Sequence, residues 1–205
     1  MPRLAATTAR KRPRQARSRA TVDVILDATA RVLVTTGYDR ASTNRVAEVA
    51  GVSVGSLYQY FPSKEALVAA LVERHSAAVR AVIETQLAEV ACAPVPEAVR
   101  GLVEALFAAH LVDPPLHRAL HEQVPRVGRL GRLLDDQCYI RGLVRAVLAT
   151  RAAELRRTDL DAVAMLMVAT VEAAVHAAVL PEQPVVPPGR LIDELVDMLL
   201  RYLAR

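Results

Sequence analysis

Tryptophan is missing from this 205-residue chain, phenylalanine occurs only twice, and aromatic residues together make up 3%. Glycine is also sparse, with 8 residues, while apolar residues reach 53%. The interior must therefore be filled by alanine, leucine and valine, which favours closely packed helices over an all-β design. Cys92 and Cys138 are the only cysteines. They are too few for a disulfide framework and have no CxxC spacing, which fits a reducing cytoplasm. Of 26 basic residues only Lys11 and Lys64 are lysines; this pattern fits GC-rich codon usage, so no single arginine should be overread. No Gly-rich phosphate loop, GxSxG or paired cysteines occur, so the common sequence signs of an enzyme are absent. The Arg-rich N-terminus has no apolar core region and is not a secretory signal. The longest apolar stretch, 162–180, approaches membrane-spanning length. It contains Glu172 and His176, costly in lipid, so the expectation is a buried bundle helix and no membrane partner.

The charge that is present is unevenly placed. Residues 1–64 hold 11 Lys/Arg against 4 Asp/Glu, and residues 65–205 hold 15 against 18. A basic first third followed by a mildly acidic remainder suggests a polyanion-binding module joined to something else. Residues 1–18, with Arg3, Arg10, Lys11, Arg12, Arg14 and Arg17 and no acid, form a basic arm expected to be disordered alone. The arm either follows phosphates or is a solvated tail, and both readings stay open.

Apolar periodicity predicts an all-α chain: helices over 21–36, 54–60, from Ser63 to about 92, 97–111, 116 to about 124, about 130–155, 159–180 and 191–203. In the first, Ile25, Ala28, Val32 and Leu33 make one stripe, with Thr29 bonding back to a carbonyl one turn earlier. Prolines at 94, 96, 114, 115 and 125 read as breaks, and PEQPVVPPG as a turn-rich connection. The division expected is a basic arm over 1–18, a DNA-binding domain over 19–64, and a regulatory and dimerisation domain over 65–205.

The stretch STNRVAEVAGVSVGSLYQYFPSK, residues 42–64, organises the rest. Ser42 and Ser53 stand where helix N-caps are wanted. Gly51 lies between the two short helices, where a left-handed backbone is cheapest for glycine. Val46, Ala47, Val49 and Ala50 give the first helix an apolar face, closed by Val52 and Leu57. This is the arithmetic of a helix-turn-helix unit. The second helix shows Leu57 as its one clearly apolar position amid Ser56, Tyr58, Gln59 and Tyr60, too few for an ordinary core helix. Gly55 costs roughly 1 kcal/mol of helix propensity relative to alanine, which close approach of backbone to a DNA groove would explain. A solvated helix with two amphipathic tyrosines is the plainer alternative.

Thr43, Val46, Ala47, Ala50, Gly51, Val52, Ser53, Gly55, Leu57, Tyr58, Tyr60, Phe61, Lys64, Leu67 and Leu71, with Gly37-Tyr38 upstream, resemble the TetR family of bacterial transcriptional regulators. The resemblance covers residues 20–75 with specific motifs and the remainder only as an all-helical layout. It implies an N-terminal three-helix helix-turn-helix domain followed by a C-terminal helical ligand-binding and dimerisation domain. The implied activity is that of a ligand-responsive repressor, a homodimer on a palindromic double-stranded DNA operator. The resemblance puts Thr43 on a phosphate at a helix N-terminus. Tyr58, Tyr60 and Lys64 can reach further phosphates, and these contacts set register rather than sequence. Asn44, Ser53, Val54, Ser56 and Gln59 are left to face the groove, with Gly55 allowing approach; Gln59 suits adenine and Val54 a thymine methyl. The family often has an aromatic residue where this chain has Gln59 and a histidine where it has Tyr60, so operator sequence does not transfer.

The family also implies dimerisation through the last two helices and an effector pocket in the body, its small molecule unidentified. Glu104, His110, Tyr139, Met165, Glu172 and His176 are the polar or soft residues on apolar helices that such a ligand would meet. Glu172 and His176, four apart, can instead bond each other. His117 and His121 have the i, i+4 spacing of metal ligands, but HRALH lacks the glutamate of HExxH; no metal and no cofactor is expected. Two competing classes remain: an enzyme, for which no catalytic constellation is visible, and an architectural DNA-binding protein driven by the basic arm.

Overall fold

The computed structural model describes residues 16–122, 126–179 and 186–203, with side chains from 18 and excluding 126–136 and 179. Most of the basic arm, the expected helix end at Leu180 and the segment 181–185 lie outside the described residues. Within them all regular structure is helical, as the composition implies: α1 (Ala16–Thr36), α2 (Thr43–Ala50), α3 (Val54–Tyr60), α4 (Lys64–Glu89), α5 (Val95–His110), α6 (Pro114–Glu122), α7 (Arg126–Ala149), a 3₁₀ turn (Ala152–Glu154), α8 (Leu160–Val179) and α9 (Pro188–Leu203).

Several prolines read as breaks, or in the case of Pro188 as part of a turn-rich connection, sit instead in first helical turns: Pro96 in α5, Pro114 and Pro115 in α6, Pro188 in α9. A first-turn residue has no intrahelical acceptor for its N–H, so proline loses nothing there and its fixed φ suits the helix. These helices therefore start two or three residues earlier than periodicity places them. Helix α7 ends at Ala149, six residues before its expected end, and a 3₁₀ turn follows.

Two compact units emerge: residues up to Ser76 with Pro115–Arg132, and Ala77–Pro114 with Leu133 onward. The first packs Ile25, Leu33, Leu57, Phe61, Leu67 and Leu71 around one core, to which α6 adds Leu116, Ala119 and Leu120. Thr29 is 4% exposed within it and donates to the Ile25 carbonyl at 2.7 Å, which satisfies its hydroxyl locally.

In the second unit α5 is the central helix, burying Leu102, Val103, Leu106 and Phe107 against residues of α7, α8 and α9. Gly101 on α5 meets the start of the preceding connection: a Cβ there would lie 2.7 Å from Val90 Cγ1 and 3.0 Å from Cγ2. Rotating a β-branched side chain cannot clear both methyls. Gly101→Ala should therefore cost about 1 kcal/mol net, an overpacking penalty of roughly 1–3 kcal/mol outweighing about 1 kcal/mol of helix propensity. Thermal melting should show a drop of about 2–4 °C, which Val90→Ala in the same chain should relieve; additive losses would reject the clash.

Over Leu160–Ala178, α8 has a mean hydropathy of 1.6 and is long and apolar enough to cross a membrane by length and composition, yet only 33% of that stretch is buried within the chain. Val163, Ala164, Met167, Val168, Val171 and Val175 face inward. Met165 and Leu166, each 46% exposed, face out with Ala169, Ala173 and Ala177.

Candidate nucleic-acid interface

Every local signal in residues 42–64 is realised. The Ser42 hydroxyl accepts from the Arg45 N–H at 3.2 Å and caps α2. Gly51 terminates α2 at φ 66°, ψ 27°, and the Val52 N–H reaches the Ala47 carbonyl at 3.0 Å. That left-handed end, which a side chain would strain, sets the reversal. Ser53 caps α3 by accepting from the Ser56 N–H at 3.0 Å, and its hydroxyl also lies 2.8 Å from that of Ser56.

The resulting α3 is held by a single fully buried side chain. Leu57 is 0% exposed, whereas Val54 and Tyr58 are 39% and 41% exposed. Gly55 and Gln59 are exposed too, as are Ser53 before the helix and Asn44 on α2. A Cβ on Gly55 would meet only Ser53 Oγ, at 3.9 Å. Nothing among the described residues requires glycine at that position.

The phosphate-type donors divide into two groups. Thr43 Oγ1 and Tyr58 OH lie 3.1 Å apart on the surface, though 15 residues apart in sequence. When one hydroxyl donates to the other, the acceptor still has its own O–H to offer outward. Tyr60 and Lys64 are turned inward by comparison. Tyr60 is half-buried and accepts from Ser18 Oγ at 3.2 Å, which ties the end of α3 to the start of α1. Lys64 Nζ donates to the Tyr38 carbonyl at 3.0 Å and sits 4.2 Å from the centre of the Tyr38 ring. Burial, then Glu65 and Asp39, raise the Tyr38 phenol pKa, so it stays neutral beneath the cation. In this geometry Lys64 fastens α4 to the loop after α1. Ser18 and Tyr38 belong to this surface through contacts spanning 42 and 26 residues, which no local pattern announces.

The six body residues do not form one cluster. Glu104 is exposed and pairs with Arg100 at 3.5 Å. Tyr139, 40% exposed, donates to Glu84 at 2.6 Å. Met165 lies on the outer face of α8. His110 and His176 do meet: His110 is 7% exposed, its Nδ1 is 2.7 Å from the Leu106 carbonyl, and the two Nε2 atoms are 3.1 Å apart. Half-buried Glu172 accepts from the Gln137 amide at 3.1 Å. Burial raises its pKa, a tendency opposed by Gln137 and by the charge of Arg141. In the other unit, His117 Nδ1 lies 3.2 Å from His75 Nε2 and its ring stacks on His121 at 6.3 Å.

Sequence reading overlooked a pocket and the arginine beside it. Leu87, Val99, Leu102, Val144, Leu148 and Met167 line an apolar cleft with about 310 Å³ of empty space, its open mouth included. Arg151 borders it, only 6% exposed. Its guanidinium donates to the carbonyls of Ala93 (2.8 Å), Val147 (2.8 Å), Val90 (2.9 Å) and Ala91 (2.9 Å) and to the Thr150 hydroxyl (2.9 Å). Its five donors are spent on the chain ends that follow α4 and close α7, where unpaired carbonyls and the negative end of the helix dipole call for a cation.

Comparison with known proteins places both units. The family described as "Bacterial regulatory proteins, tetR family" matches residues 25–71, and the "Tetracyclin repressor-like, C-terminal domain" matches residues 94–203. The nucleoid occlusion factor SlmA of Haemophilus ducreyi is 53% identical over 38 residues, 18% of this chain and 19% of that protein. The chain thus matches about a fifth of that curated relative's length. The fatty acid degradation regulator FadR of Bacillus halodurans superposes with a TM-score of 0.70 at 21% identity, covering 93% of this chain and 97% of that one. SmeT, the repressor of the Stenotrophomonas maltophilia multidrug efflux pump SmeDEF, gives 0.67 at 21%, covering 90% of each chain; SmeT has also been solved as a complex with triclosan.

Proposed function

We propose, from the premise that this chain belongs to the tetR family of bacterial regulatory proteins, that it is a ligand-responsive repressor acting in the cytoplasm as a homodimer on a palindromic operator. Transcriptional regulation through DNA comes with the family. The finer reading rests on one observation above all: Leu57 is the one fully buried side chain of α3, while Val54, Gly55, Tyr58 and Gln59 are exposed. A base-reading helix needs that arrangement, because side chains spent on a core cannot reach base edges.

Val54, Ser56 and Gln59 with Asn44 and Ser53 then carry sequence discrimination, and the Thr43–Tyr58 hydroxyl pair holds a phosphate. Tyr60 and Lys64 support the same surface while bonded to Ser18 and Tyr38. One such unit reads only a few base pairs, so two copies spaced roughly 34–36 Å apart, or somewhat more, would match two half-sites. The outward face of α8, with Met165 and Leu166 beside Ala169, Ala173 and Ala177, supplies what a second copy needs: apolar area and small residues for close approach. Met198 of α9, 46% exposed, extends it. The cleft near Arg151 has apolar walls but room for roughly one water molecule, so a compact apolar effector would have to widen it on entry.

Binding to the DNA flanking its own gene, at fixed salt with excess random competitor, tests this reading. A protected two-fold-symmetric site supports it; binding fully lost to competitor, there and in genome-wide selection, favours an architectural role. On the site so found, Tyr58→Phe should weaken matched and mismatched DNA alike by about 1 kcal/mol, roughly fivefold. Gln59→Ala should instead flatten preference at particular base pairs by about 1–3 kcal/mol. Equal loss on all sequences for the Gln59 variant would remove it from the base-reading set.

A further inference from the structure

We infer that Tyr60 and Lys64 are positioning residues: with Ser18 and Tyr38 they brace α3 against the two ends of α1, and they raise specific DNA affinity through that brace instead of through phosphate contacts of their own. The inference rests on the reading of α3 as the groove-facing helix. All four residues belong to the first unit.

Base-reading side chains have to be held within about 0.5 Å and 10–20° of their working geometry by packed or hydrogen-bonded supports. Core packing alone does not hold α3 that closely. Leu57, midway along its seven residues, is its one fully buried side chain, and Phe61 just beyond its end is buried too. Two such anchors leave rotation about the line between them. The ties made by Tyr60 and Lys64 act on that remaining freedom. Tyr60 OH accepts from Ser18 Oγ at 3.2 Å. Lys64 Nζ donates to the Tyr38 carbonyl at 3.0 Å and lies 4.2 Å from the centre of the Tyr38 ring. Ser18 stands in the first turn of α1 and Tyr38 two residues past its last, Thr36. From Ser18 to Thr36 the helix runs about 27 Å at a rise of roughly 1.5 Å per residue. Side chains only four positions apart thus reach toward opposite ends of one rigid rod, and together they resist tilting of the α3–α4 elbow in either direction.

The chemistry of Lys64 points the same way. A lysine that serves a phosphate does so as a mobile point charge. Here the ammonium is engaged by a carbonyl and by the face of a neutral phenol, a favourable place for a cation. Moving it to a phosphate would give up both contacts and release the start of α4.

The test compares full-length Lys64→Gln, Tyr38→Leu and Ser18→Ala on two duplexes of equal length, one carrying the protected flanking site and one of random sequence, across a salt titration. Each variant should weaken the matched duplex about fivefold to tenfold and leave the random one within about twofold. The slope of log affinity against log salt should stay at the parent value, whereas loss of a phosphate contact lowers it by about 0.9. Tyr60→Phe should match Ser18→Ala, because both remove the same hydrogen bond. Hydrogen exchange of the DNA-free proteins reads the brace directly: α3 amides should exchange about fivefold to tenfold faster in each variant, with those in the middle of α1 unchanged. Absence of specific binding in the parent rejects the operator reading. Where specific binding is present, a slope lowered by Lys64→Gln, or equal loss on both duplexes, overturns the positioning role alone. Exchange of α3 at the parent rate overturns the brace with or without DNA.

Discussion

Arg151→Met lowers the unfolding free energy by about 3 kcal/mol, the largest single-site loss expected outside the apolar core. The usual argument that a buried charge can be exchanged for an apolar side chain of similar volume assumes that both partners of an ion pair are exchanged. Here the partners are the backbone carbonyls of Val90, Ala91, Ala93 and Val147. Substitution cannot remove them. Each carbonyl left dry and unpaired costs about 1–3 kcal/mol, reduced where water enters. Arg151→Lys should recover only part of the loss, since an ammonium offers three donors from one point instead of five in a planar fork. Urea unfolding followed by circular dichroism measures the difference. A loss below about 1 kcal/mol for the methionine variant would show that water already serves these chain ends.

Gly55→Ala has two effects of opposite sign. Stability rises by up to about 1 kcal/mol through helix propensity, because the added Cβ meets nothing closer than Ser53 Oγ at 3.9 Å. The melting temperature should follow by about 2–4 °C. Operator affinity falls by about 2 kcal/mol, roughly 30-fold, because the methyl intrudes on a close approach of backbone to DNA. Gly101→Ala is the internal contrast, a glycine whose crowding lies inside the chain. If Gly55→Ala binds its operator as tightly as the parent, α3 does not approach DNA through this position.

The helix-turn-helix was legible because its determinants are local. Ser42 and Ser53 cap residues three ahead, Gly51 must be left-handed where it stands, and α3 spans the seven residues that its pattern of one apolar position delimits. Helix starts were less legible: proline serves as an opener and as a breaker, and periodicity alone does not separate the two roles at 114 or 188. Least legible were polar contacts between distant segments. Arg151 looks like one arginine among many, and nothing near it in sequence marks 90–93 as its partner. The six body residues were chosen as polar points on apolar helices. That criterion recovered the His110–His176 contact, but it also admitted Glu104, whose partner is an exposed arginine. It missed the cleft because apolar walls look like any other core.

On the function proposed above, a helix whose one fully buried side chain is Leu57 also separates two kinds of inheritance. On that reading the residue that seats α3 in the core and those that address DNA are different, so the address can drift while the fold is conserved. Val54, Ser56 and Gln59 contribute little to the core, and exchanging them should cost little stability. Copies of such a chain can therefore diverge in target faster than in architecture, which makes shared fold a poor guide to shared operator.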